Sequence, residues 1–243
     1  MRPLVGERLL LAWEQGTQAD YLRRPLALLS IALPDGDPAQ LAALPITERN
    51  ELLLRLHEMT FGSELNVFGV CPDCGARLEF TMPVDALASQ LDCQSPADAI
   101  TWESHGQRYR LRPVTTDDLV ACLDVPELSA ANDLLLSRCL AMSPAGASVQ
   151  ASAAPAADPE VLQRFEQLHG AAELSCAIDC PGCASSQVLD LDLARFVWAE
   201  IRTAARRLIA EIHDLASVYG WSEHSIATMS AARRSAYLEL VSA

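Results

Sequence analysis

Two C-x-x-C turns carry the most specific chemistry in this sequence, Cys71-Pro-Asp-Cys74-Gly75 and Cys180-Pro-Gly-Cys183. Zinc takes four soft ligands in a tetrahedron, and a C-x-x-C turn delivers two thiolates to one edge of it while its backbone amides stabilise their charge. Proline after the first cysteine shapes each turn, and Gly75 admits a positive φ after the second. The expectation is one structural Zn2+ held by Cys71, Cys74, Cys180 and Cys183, closed across the 105 residues between Cys74 and Cys180. Four thiolates fill the coordination sphere and leave no position for an activated water, so a site of this kind is not catalytic. Three alternatives stand beside it. A redox pair would place one C-x-x-C at a helix N-terminus, whereas here each turn leads into a strand. Two separate zinc sites would need further ligands, for which Cys176 and His169 are at hand. A degenerate, metal-free ribbon would hold its hairpins by packing alone. Cys93, Cys122, Cys139 and Cys176 read as small buried hydrophobes.

The elements that must present these turns read as strands. Leu65, Val67 and Phe68 precede the first knuckle, and Leu78 and Phe80 follow it at alternate positions. The arrangement recurs 109 residues later: Arg55, Glu64, Leu65, Cys71, Pro72 and Cys74 match Arg164, Glu173, Leu174, Cys180, Pro181 and Cys183. Helix, strand, knuckle and strand follow in that order both times. Upstream, residues 1–62 read as helices: one around Leu9, Leu10, Ala12 and Trp13, one over 21–32, a short one over 37–44, and one that Thr47 caps. This last helix carries Leu52, Leu53, Leu56 and Met59 on one side and ends at Gly62.

Between the knuckles, 99–112 reads as a hairpin turning at His105-Gly106, with Ile100, Trp102, Tyr109 and Leu111 on one face and Arg108, Arg110 and Arg112 on the other. A helix starts at Thr115 or Thr116 and another covers 132–140. Residues 143–157 contain no charge and consist largely of Ala, Ser, Pro and Gly, the composition of a flexible linker. From Leu193 to Tyr219 the apolar positions Val197, Ile201, Ala204, Leu208, Ile212, Leu215 and Tyr219 keep steps of four and three, the seam of one long helix. Gly220 stops it, and Ser222 and Ser230 cap two short helices. The expected fold is α+β. A helical N-terminal region (1–62) precedes a zinc ribbon of two knuckle hairpins with a large α/β insertion (63–192), and a C-terminal helical module follows (193–243).

Composition excludes several functions. All 18 basic residues are Arg, and without a lysine there is no Walker phosphate loop, Schiff base or Ser-Lys hydrolase. No G-x-S-x-G, G-x-G-x-x-G or H-E-x-x-H occurs, and the five histidines read as surface or internally satisfied residues. The formal charge of −14 disfavours nucleic acid, whose binding draws on released phosphate counterions. Residues 1–194 carry −15 of it and the last 49 carry +1, so the helical end is nearly neutral and suits docking through apolar faces. The apolar run 25–34 is too short for the roughly 20 residues of a membrane span, and a cytoplasmically made protein is expected.

Several segments, taken in order, resemble the baseplate hub assembly family of contractile phage tails and related injection systems. They are Leu11-Ala-Trp-Glu-Gln-Gly16, Leu44-Pro-Ile through Met59-Thr-Phe-Gly62, the first knuckle, Tyr109-Arg-Leu-Arg-Pro113 with Thr115-Thr-Asp-Asp-Leu119, the second knuckle, Glu211-Ile-His-Asp-Leu through Tyr219-Gly-Trp-Ser-Glu223, and Arg233-Arg-Ser-Ala-Tyr237-Leu. The resemblance implies a non-enzymatic role, as an assembly chaperone or a minor baseplate component. It also implies contacts to hub or tail-core proteins and a location in the cytoplasm during assembly or in the tail particle. The alternative from another class is a zinc-ribbon nucleic-acid or transcription-associated protein.

Overall fold

The computed structural model describes residues 1–94, 99–104, 106–144, 158–169 and 174–241. Helix α1 (Glu7–Gln18) starts after Gly6, whose φ of 56° few side chains tolerate. A Cβ on Gly16, in the same helix, would lie 2.3 Å from the Trp198 ring, so glycine is what lets that indole close on α1. Helix α2 (Arg24–Ala32) begins later than the apolar pattern suggests, because the Asp20 carboxylate accepts the Leu22 and Arg23 N–H groups and holds 21–23 as a turn. Helix α3 (Pro38–Ala42) is capped by Asp37.

Helix α4 (Ile46–Phe61) departs from the sequence expectation at its start. Pro45, not Thr47, is the cap residue: it bridges to Thr115, and the Ile46 N–H donates to the Val114 carbonyl, so a distant segment sets where the helix begins. The buried face comprises Arg49, Asn50, Leu53, Leu54, Leu56 and His57, while Met59 is 42% exposed. His57 is correspondingly no surface histidine. It is fully buried between Phe61 and Phe196, with Nε2 2.5 Å from a Glu200 carboxylate oxygen.

Strands β1 (Glu64–Val70) and β2 (Arg77–Pro83) form an antiparallel hairpin around the first knuckle and lead into α5 (Val84–Gln94). The second hairpin, β6 (Leu174–Asp179) and β7 (Ser186–Leu191), leads into the 27-residue α9 (Leu193–Tyr219). Asp192 caps α9 by accepting the Arg195 N–H, and Gly220 ends it in the left-handed conformation, φ 66°. The apolar seam of this helix is used inside the chain. Val197, Ile201, Leu208, Ile212 and Leu215 are buried in one core with residues of α1, α2, α4, β1, α5 and β6, and with Ile226 of α10 (Glu223–Ala227). Each fully buried aliphatic side chain there contributes about 1.5–3 kcal/mol. Helix α11 (Ala231–Val241) closes on α9 through Tyr237, edge-on to Trp221 at 4.8 Å.

A second core lies between the hairpins. Strands β3 (Ile100–Ser104), β4 (Gln107–Leu111) and β5 (Leu140–Pro144) form an antiparallel sheet in the order β3-β4-β5. With α6 (Thr116–Ala121), α7 (Leu128–Cys139) and α8 (Pro159–His169) it buries Trp102, Tyr109, Leu111, Leu136, Val161 and Leu168. Strand β5 was illegible as a strand, and it takes residues 143 and 144 out of the expected linker. The remainder of that linker, 145–157, lies outside the described residues, as do His105, Glu173 and the Cys93 side chain. Arg112 does not share a solvated stripe with Arg108 and Arg110: it lies past the end of β4 and forms a two-pronged pair with the buried Asp118, which Arg138 also contacts at 2.9 Å. Thr115 and Asp118 complete a capping box on α6.

Candidate metal centre

Each knuckle is a tight turn locked by its own backbone. The Cys71 N–H donates to the Ala76 carbonyl at 2.9 Å and the Gly75 N–H to the Cys71 carbonyl at 2.9 Å. In the second knuckle the Cys180 N–H donates to the Ser185 carbonyl at 2.9 Å and the Ala184 N–H to the Cys180 carbonyl at 2.8 Å. The 109-residue repeat therefore reaches backbone hydrogen bonds and continues past the strands, since α5 and α9 begin at Val84 and Leu193, the same distance apart. It fails upstream. Helix α4 contributes to the main core and α8 to the second core, so Leu56 and Phe165 match in sequence without sharing an environment.

Folding brings the four predicted cysteines together. All four Sγ atoms lie within 4.8 Å of one another, with Cys71 and Cys180 buried and Cys74 and Cys183 exposed. The contacts that cross between hairpins are 3.8 Å for Cys71 and Cys183 and 3.6 Å for Cys74 and Cys180. A tetrahedral zinc with Zn–S distances of about 2.3 Å requires sulfur separations of about 3.8 Å. The group can hold a metal ion.

Electrostatics point the same way. The Cys74 N–H, with help from that of Asp73, draws the Cys71 thiol down to about 6. The Ser185 hydroxyl and N–H draw Cys183 down. The Ala76 N–H pulls Cys74 in the same direction, but the neighbouring Cys180 and Cys183 sulfurs push it up to about 12. Two thiols drawn down beside one pushed up are charges that oppose each other, and a cation joining them would relieve that opposition.

Neighbouring residues that spacing did not flag complete the environment. Ser185 Oγ lies 3.1 Å from Cys183 Sγ, and Gln187 Nε2 bridges the hairpins by donating to Asp73 at 2.6 Å and to Ser185 Oγ at 3.0 Å. The Gly182 N–H faces Cys180 Sγ at 3.4 Å, and a Cβ on Gly182 would sit 3.3 Å from the Ala76 Cβ and 3.5 Å from Cys74 Sγ. The substitute ligands considered from sequence are engaged elsewhere. His169 accepts the Val114 N–H at Nε2 and has Nδ1 2.7 Å from the Phe165 carbonyl, which makes it the neutral Nδ1–H tautomer. Cys176 donates to the Leu189 carbonyl within the hairpin.

No described helix is long and apolar enough to cross a membrane. No curated protein and no solved structure matches the chain. Residues 5–98, which run from α1 through the first knuckle and beyond α5, match the family model for T4 bacteriophage base plate protein, and this supports a phage baseplate role for the chain.

Proposed function

We propose that the chain is a non-enzymatic component of baseplate hub assembly, in a phage or a related contractile injection system, acting through contacts with hub or tail-core proteins. The match of residues 5–98 to the baseplate family model carries this reading. In it the four cysteines hold a structural Zn2+ that clips together two hairpins far apart in sequence. Four thiolates would leave no open coordination position, which fits a scaffold and not a hydrolytic centre. The chain leaves as a chaperone or stays as a minor tail component, and the presence or absence of the chain in purified particles decides between these. Particles that assemble normally without it overturn the role altogether.

The metal is tested separately. One zinc per purified chain is expected, lost in Cys180→Ser and retained in Cys176→Ser, with metal content as the readout. A metal-free wild-type chain that folds as stably with or without added zinc contradicts the clip.

A further inference from the structure

We infer that a cleft beside the first turn of α9 receives a single Asp or Glu side chain, flanked by apolar residues, from a partner protein. The cleft holds about 380 Å3 and three of its lining residues are Arg24, Arg49 and Arg195, against one carboxylate, Asp192. In a chain of formal charge −14, this cleft has three cations against one acid. Arg24 and Arg195 stand in the first turns of α2 and α9, where the positive ends of two helix dipoles add to the field.

Arg49 supplies the independent observation. Its side chain is 6% exposed, its Nη1 and Nη2 donate only to the neutral oxygens of Thr116 and Asn50, and its Nε has no hydrogen-bond partner among the described residues. Burial pulls its pKa down to about 10, opposed only by the field of Asp192. Unlike Arg112, Arg138 and Arg234, none of the three cleft arginines has a carboxylate in ion-pair reach among the described residues. A buried guanidinium without a bonded counter-charge is costly, and a carboxylate entering the cleft would offset that cost through its field, since Nε itself is sealed from the cleft.

The walls select the ligand. Leu22, Pro25, Leu119 and Trp198 offer apolar surface to an aliphatic stem, and Arg24 already lies over the Trp198 ring at 5.3 Å. Asp192 opposes a phosphate dianion more than a carboxylate. The acidic body repels a polyanion such as nucleic acid, and it equally repels a run of acidic residues, which leaves one carboxylate among apolar neighbours.

This inference rests on the reading of the chain as a protein-binding component, but its test involves neither metal nor particle assembly. Full-length protein is titrated with acetyl-Leu-Glu-Leu-amide, with its Gln counterpart and with inorganic phosphate, following the Trp198 indole N–H and the Arg49 and Arg195 Nε–H signals by NMR. The Glu peptide is expected to shift these signals with at least about tenfold tighter binding than the Gln peptide. Arg195→Gln, at an exposed position, should weaken it by about fivefold or more without altering signals from the second core. Equal responses to the two peptides, no response to about 10 mM Glu peptide, tighter binding of phosphate, or an unchanged Arg195→Gln titration would each overturn the assignment. A failed titration leaves the baseplate reading standing, and normal particles without the chain leave the titration intact.

Discussion

Ala184 and Gly75 occupy equivalent places in the two knuckles, and both have positive φ, 58° and 71°. For Gly75 the sequence announces this conformation. For Ala184 it does not, because alanine rarely accepts it and the second knuckle lacks the glycine of the first. Ala184→Gly should therefore raise the unfolding free energy by about 0.5–1 kcal/mol, since relief of the left-handed strain outweighs the added freedom of the unfolded chain. Urea unfolding of the two proteins measures it, and a lowered midpoint would mean the knuckle bears no strain there. The four cysteines were legible because their chemistry depends on spacing alone. The residues around them were not: Ser185, Gln187 and Asp73 are ordinary polar residues whose value comes from one hairpin facing the other. Which of the two sequence readings applies to His57, surface or internally satisfied, was open for a related reason, since a histidine's sequence neighbours do not reveal that Phe196 and Glu200 will cover it.

Elements with local signals were the readable ones. Thr115 and Ser222 each cap the helix their position suggests, and Gly62 and Gly220 end the helices before them. Two departures have long-range causes. The start of α4 is set by the bridge from Pro45 to Thr115, and β5 follows α7 without a turn, recognisable only through its pairing with β4. The junction of these elements depends on Asp118, which is 1% exposed. It accepts from Arg112 after β4, from Thr115 at the start of α6 and from Arg138 in the last turn of α7. Asp118→Asn keeps the shape but removes the charge that both arginines face, and a loss of about 2–4 kcal/mol is expected by chemical denaturation. Asp85→Asn, in the exposed first turn of α5, should stay within about 0.5 kcal/mol of wild type. Comparable losses in the two variants would remove Asp118 from this role.

At the scale of the whole chain, acid should loosen the second core in two stages. Burial holds the His169 pKa below its ordinary value, so the unfolded chain binds that proton first and stability falls as pH drops below about 6.5. Burial works to raise the Asp118 carboxyl, but the Arg112 and Thr115 hydrogen bonds prevail and hold it well below the carboxylate range. Its contribution is complete above about pH 4 and is lost below. Thermal midpoints from pH 7.5 to 5 should thus decline less steeply in His169→Gln than in wild type, and parallel declines would show that His169 does not set the first stage. The four-cysteine cluster, common to both proteins, cancels in that comparison. The main core also constrains the order of events during synthesis. It is assembled from residues as early as Leu4 and as late as Ala227, with α9 supplying its central stripe. A ribosome that has released only the first knuckle, β2 and α5 holds a chain whose α1, α2 and α4 have no partner for the faces they will later press against α9. The amino-terminal half must therefore wait, exposed to aggregation or to a holding protein, until α9 has been made. The arrival of α9, more than any local event, is what permits this core to form.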